Sequence, residues 1–228
     1  MDDTTTMYII AAFAAFIIVG AFIVLIGEKR RTRGFEAAAD RLGFSYDPAA
    51  VPVYGKFSNL RLTNQGHSRK ARRLLMNGSG DDEIWIFDYR YCTGHGRHRS
   101  SHRQTVAAFP NLGTLLPEFQ IRPEDIFHKI GSSLGYQDID FDEHPEFSSR
   151  YLLRGRNEML VRSLFTSWRI EAIMNLERFC AEGAGAELLV YRTRRVDPGR
   201  LSKFIDEARA IKETLTDEQG RGVRSRLT

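Results

Sequence analysis

Cysteine is scarce in this chain: Cys92 and Cys180 are the only two in 228 residues. Two thiols so far apart exclude a disulfide scaffold and suit a reduced compartment, with one bridge between them left open. Signatures of catalysis are missing as well. There is no glycine-rich phosphate loop leading into a helix, no G-x-S-x-G elbow and no H-E-x-x-H helix. Internal repeats, low-complexity tracts and linkers rich in Pro, Gly or Ser are also lacking, so residues 34–215 read as one ordinary domain. Long hydrophobic runs are limited to one.

That run covers residues 8–26 and contains no charged or strongly polar side chain; only Gly20 interrupts its Ile, Ala, Phe, Val and Leu. At a rise of ~1.5 Å per residue it reaches roughly 28 Å, the hydrocarbon thickness of a bilayer. Before it stand Asp2 and Asp3 and no base; after it come Lys29, Arg30, Arg31 and Arg33. Basic flanks stay cytoplasmic, which predicts an outside N-terminus and a cytoplasmic domain at the inner membrane, attached by a single pass. The acidic start, the long core and the Gly27-Glu28-Lys29-Arg30 junction do not fit a cleaved signal peptide. No ionisable group within the run suggests transport, so it reads as a tether. The expected division is a short extracytoplasmic segment (1–7), the membrane helix (8–27), a juxtamembrane helix (28–43), the domain (44–215) and a flexible tail (216–228).

Within the domain the pattern is mixed. Phe35, Ala38, Ala39 and Leu42 share one helical face that Gly43 terminates. Residues 69–76 read as a strand closed by Asn77-Gly78-Ser79-Gly80. Residues 83–93 form the clearest strand, with Trp85, Phe87, Tyr89 and Tyr91 on one face and Ile84, Ile86, Asp88, Arg90 and Cys92 on the other. Gly94-His95-Gly96 turns the chain and residues 104–109 return, giving a long hairpin. Further on, Pro123 opens a predicted helix carrying Ile126, Phe127, Ile130 and Leu134. Residues 137–141 and 147–153 look extended, and 158–180 helical with a break near Thr166-Ser167. Residues 187–193 read as a strand. Asp197-Pro198 then starts an amphipathic helix through Leu201, Phe204, Ile205, Ala208, Ile211 and Leu215. Strands early and helices late predict an α+β fold, a largely antiparallel sheet packed with C-terminal helices.

Several of these strings, FDYRYCTGHG and HRQTVAAF (87–96 and 102–109), PEDIFHKIG (123–131), QDIDFDEHPEFSSRYLLRG (137–155) and ELLVYRT (187–193), together resemble an uncharacterised family of bacterial single-pass membrane-anchored proteins. In that family a domain of unknown function follows one N-terminal helix. The resemblance implies a domain held at a bacterial membrane and brings no catalytic residues with it.

Candidate sites are few. Cys92, His95, His98 and His102 have soft and imidazole ligands at zinc-like spacing, but Arg97, Arg99 and Arg103 stand among them and oppose a dication. Asp138, Asp140 and Asp142 share one face of an extended segment; Glu143 and Ser149 break the calcium-loop pattern, and Arg150, Arg154 and Arg156 offer them counter-charges. Asp88 and Arg90 lie on one strand face, where a charged pair is either catalytic or a partly buried ion pair. Net charge is only +4, with bases and acids interspersed, which excludes an extended nucleic-acid surface. The sequence therefore predicts a membrane-tethered binding or scaffolding module, with no cofactor and no small-molecule substrate. Its partners would be the bilayer, contacted by Lys29, Arg30, Arg31 and Arg33, and a protein or a second copy. Anionic-lipid headgroup binding and a metal-dependent enzyme at Cys92 are the alternatives.

Overall fold

The apolar run does not stop where the hydrocarbon thickness is used up. The computed structural model, which describes residues 3–49, 53–125 and 138–217, carries it on as one helix, α1 (Asp3–Leu42, 40 residues), about 60 Å long at the α-helical rise. Residues 7–25 are exposed throughout, Ile26 is half-buried, and from Arg31 onward the same helix packs into the domain. Phe35, Ala38 and Ala39, all within 1% of full burial, present the predicted stripe; the two alanines let the helix backbone approach the sheet closely. Gly43 (φ 70°) ends it, and the amide of Phe44 returns to the Ala39 carbonyl at 2.9 Å, the closing bond of a Schellman cap.

The chain then runs through β1 (Ser45–Asp47), two one-turn helices α2 (Val53–Lys56) and α3 (Arg61–Asn64), β2 (His67–Asn77), β3 (Ile84–Thr93), β4 (Ser100–Phe109) and β5 (Leu116–Pro123). After the undescribed stretch follow α4 (Pro145–Arg150), β6 (Tyr151–Gly155), α5 (Glu158–Leu164), α6 (Ser167–Met174), β7 (Cys180–Gly185), β8 (Glu187–Tyr191) and α7 (Leu201–Thr216). The strands form a single eight-stranded sheet in the order β1-β2-β3-β4-β8-β7-β5-β6, with every neighbouring pair antiparallel. The α+β class and the antiparallel sheet are as expected.

Both faces of the sheet are covered. On one, α1, α5, α6 and α7 bury Ile84, Ile86, Phe119, Ile121 and Val190. On the other, residues 57–62 lie over Phe87, Tyr89, Tyr91, Val106 and Leu189. The alternation read for residues 83–93 is reproduced, with Trp85, Phe87, Tyr89 and Tyr91 on this second face. In α7, Leu201, Phe204, Ile205, Ala208, Ile211 and Leu215 are buried as predicted, and the Asp197 side chain accepts from the Gly199 amide at 2.8 Å just before the helix.

Three sequence expectations need correction. Residues 147–153 are not one extended segment, because Pro145 starts α4 and the strand begins only at Tyr151. The helical reading of 158–180 holds for α5 and α6, with the break at Thr166, but Cys180 opens β7. Gly183 obscured that strand: it is glycine because a Cβ there would overlap the Phe119 ring. Finally, strands and helices interleave along the chain instead of segregating early and late. The helix predicted after Pro123 falls on residues 126–137, outside the described residues; Pro123 itself ends β5.

Candidate functional site

Asp88 sits at the centre of β3 with 6% of its surface exposed, and two elements converge on it. From α1, Arg31 makes a two-pronged contact, Nε to Oδ2 and Nη2 to Oδ1, both at 2.6 Å. From β2, Arg73 donates to Oδ2 at 2.9 Å. The Thr105 hydroxyl donates to Oδ1 at 3.1 Å and accepts from Arg31 and from the Val196 amide. Arg73 reaches the carboxylate because β2 carries an extra residue between Arg72 and Leu75, and its own φ is 57°. A bulge re-aims one side chain, and the left-handed conformation costs a non-glycine residue roughly 1–2 kcal/mol. The same guanidinium holds Thr32 Oγ1 at 3.0 Å and Glu28 at 2.5 Å, and Arg195 joins Glu28 at 2.7 Å. Burial alone would raise the Glu28 pKa. Arg195 and Arg73 outweigh that and bring it down to about 2. Two carboxylates and three guanidiniums thus lock the helix leaving the apolar run onto the sheet.

The opposite face carries a buried polar strip. Glu182 on β7 is 2% exposed; its Oε1 accepts from the Gln120 amide and from the Tyr191 hydroxyl (2.8 Å), and its Oε2 from the Leu62 amide (2.8 Å). The last bond pins α3 to the sheet. Arg61 and Arg122 both donate to Gln120 Oε1. Burial pushes the Tyr191 hydroxyl well above its ordinary range and the Cys180 thiol up to about 12, so neither is a nucleophile at neutral pH. Beyond α3 the strip opens into a cleft of about 580 Å³ floored by Tyr91, His102, Gln104 and Tyr191 and rimmed by Arg178, Arg192 and Arg194. Gln104 is 4% exposed and its Nε2 has no hydrogen-bond partner among the described residues; the same holds for Arg122 Nε. Arg122 does not line the cleft, so the one unsatisfied buried donor at its floor among the described residues is the Gln104 amide, which suits a group that brings an acceptor.

The structure disperses the residues singled out for metal. Cys92 is buried and takes a hydrogen bond from Arg99 (3.3 Å), which lowers its pKa; His102 stacks on Tyr91 (4.7 Å between centroids) and bonds Thr93 (2.9 Å). His95 stacks instead on His67 at 5.1 Å, and His98 is exposed. No three or more His, Cys, Asp or Glu side chains are grouped to hold a metal ion among the described residues. Cys92 and Cys180 are both free thiols. Asp138 pairs with Arg154 at 2.5 Å, whereas Arg150 donates to the Met174 and Leu176 carbonyls. Asp88 and Arg90 are not partners: Arg90 is exposed and bonds Ser101 at 3.1 Å.

Of the four expected bilayer contacts, Lys29, Arg30 and Arg33 are exposed. Arg31 is the exception, turned inward with its side chain 11% exposed. Sequence pattern offered no sign of Arg31 because it hides within a basic cluster. Glu182 and Gln120 were missed because residues 181–186, which carry Glu182, were assigned to no element and Gln120 resembles any polar strand residue.

Two outcomes follow for stability. Asp88→Asn leaves two guanidiniums buried beside a neutral group and costs about 3–5 kcal/mol in denaturant unfolding of the full chain in detergent. The depressed pKa of Glu28 means its contribution is complete above pH 4.5 and is lost as pH falls toward 2. Glu28→Gln should remove that acid-dependent step, and because Glu28 is a third exposed, high salt should shrink it.

No family model and no curated protein matches the chain. Among solved structures, the crystal structure of the mycobacterial trehalose monomycolate transport factor A, TtfA, matches with a TM-score of 0.60 at 10% identity, over 81% of this chain and 94% of that one. At that identity the likeness shows the fold alone, a TtfA-like α+β domain; in this chain one helix among the described residues is long and apolar enough to cross a membrane, and it leads into that domain.

Proposed function

We propose that this protein is a membrane-tethered binding module that holds a docking face at a fixed pose beside the bilayer. The observation that carries the reading is α1 itself, which runs from the apolar segment into the domain core without a joint. A flexible tether would only confine a domain near the surface; a continuous helix locked by Asp88 also fixes its height and orientation. The cleft over Gln104 is the docking face, and its floor amide together with the rim arginines suits a partner segment that brings carbonyl or carboxylate oxygens. The bases at 29, 30 and 33 favour a cytoplasmic domain at the inner membrane. The resemblance to bacterial membrane-anchored proteins agrees with a scaffold standing next to other membrane proteins, and so does the fold shared with TtfA, a transport factor. The cargo of TtfA is not extended to this chain.

A photo-crosslinking amino acid at exposed Thr193, on the rim of the cleft, tests this in the full chain in its native membranes. The reading predicts one discrete protein adduct, at twice the chain mass if the partner is a second copy. A flexible insertion between Gly27 and Glu28 should abolish it while leaving domain melting unchanged. An adduct that survives the insertion contradicts the fixed pose, and no adduct at Thr193 contradicts the cleft.

A further inference from the structure

The β3–β4 hairpin and α1 run alongside each other, and their register shows how far the hairpin extends. The far end of α1 lies at the start of β3: Asn77, paired with Ile84, donates to the Gly43 carbonyl at 2.7 Å. Arg31 meets Asp88 midway along. Glu28, one residue beyond the expected membrane helix, lies 4.0 Å from Arg103, whose partner across the hairpin is Arg90. The pairs Tyr91–His102, Cys92–Ser101 and Thr93–Ser100 therefore lie on the apolar-run side of Glu28. At ~3.3 Å per strand residue they advance about 10 Å, whereas Gly27 and Ile26 take up only about 3 Å of helix. The hairpin tip thus overlaps the last turns of the apolar run, and Ile26, unlike residues 7–25, is half-buried.

The composition of this projection is one-sided. Residues 61–80 and 89–117 contain no Asp or Glu. Arg90, Arg97 and Arg99 on the outer part of the hairpin, with Lys70 in register beside Arg90 on β2, are all exposed and none is within salt-bridge distance of a described carboxylate. Elsewhere in the domain Arg154 pairs with Asp138, Arg162 with Glu158 and Arg192 with Glu207, while Arg72, Arg156, Arg194 and Arg200 stand singly among the described residues and form no comparable cluster along one projection. Unpaired cations sit where the hairpin reaches the helix leaving the apolar run. Gly94 and Gly96, at φ 70° and 56°, shape the short turn that presents them.

We propose that this hairpin is a bilayer-contacting finger whose cations bind the headgroups of anionic lipids, giving the domain a second point of attachment beside α1. The inference rests on the reading of α1 as a membrane span. It explains the one-sided charge of a hairpin tip, residues 94–101, that is exposed throughout and lies outside the core. A second attachment point also restrains the tilt of the rigid helix–domain unit against the bilayer.

The full chain, reconstituted in vesicles whose lipids carry a headgroup nitroxide, tests the proposal through a fluorophore on single introduced thiols; Cys92 and Cys180 are buried. Ser100→Cys reports the finger, Ser79→Cys the opposite end of the sheet, and Leu25→Cys the end of the span. With phosphatidylglycerol present at low salt, Ser100→Cys should be quenched about threefold or more above Ser79→Cys, and should lose that excess at high salt. Replacing Lys70, Arg90 and Arg97 together by Gln should abolish the excess with Leu25→Cys unchanged. Quenching at Leu25→Cys without excess at Ser100→Cys overturns the finger; no quenching at Leu25→Cys overturns the span. Equal quenching at Ser100→Cys in purely neutral vesicles overturns the anionic selectivity. Shielding of Ser100→Cys that requires another membrane protein assigns the hairpin to a protein partner and overturns the lipid reading.

Discussion

The Arg31–Asp88–Arg73 contact is the constraint on which the architecture turns. Asp88 is a carboxylate in the interior of β3, a position that is unfavourable unless its charge is matched at close range. The match comes from a helix that enters from the apolar run and from a bulged strand, so folding the sheet and placing the helix are one event. Ion pairs of this kind add modest net stability over an apolar alternative; what they supply is register. Sliding α1 by one turn would carry Arg31 about 5 Å from its carboxylate and leave both groups buried and unpaired. The Glu28 cluster repeats the constraint nearer the apolar run.

From that fixed register the rest follows. Phe35, Ala38 and Ala39 land on the sheet because Arg31 sets their height, and α7 closes over the same face. The hairpin reaches back along α1 because β3 antiparallels it from Asp88. On the opposite face, Glu182 ties α3 down over one half of the sheet and leaves the other half open as the cleft. One face carries the helix from the apolar run and the other carries the open cleft.

Much of the fold was legible in the residues. A period of two over 83–93, a helical stripe through Phe35 and Ala39, and a glycine at 43 each have one local meaning, and each was reproduced. Local patterns fail where tertiary contacts decide. Gly183 exists for the Phe119 ring, so β7 lost its strand signature, and the run to Cys180 kept a helical appearance. The site was less legible still. Asp88 stood out as a charge in an apolar strand, yet its partners lie 57 and 15 positions away in sequence. Arg31 was indistinguishable from its neighbours because a topology signal and a buried ion pair use the same side chain. The cysteine and histidine spacing, by contrast, suggested a cluster that the hairpin geometry pulls apart, since residues on alternate faces and at a turn do not converge.

The central claim is that the domain has no joint with its membrane helix. Spin labels at Ile17, within the apolar run, and at Ser163, on α5, measure this by pulsed dipolar spectroscopy of the full chain in a bilayer. A locked helix predicts one narrow distance distribution that broadens in Asp88→Asn. A broad distribution in the unmodified network, indifferent to Asp88, would contradict the account.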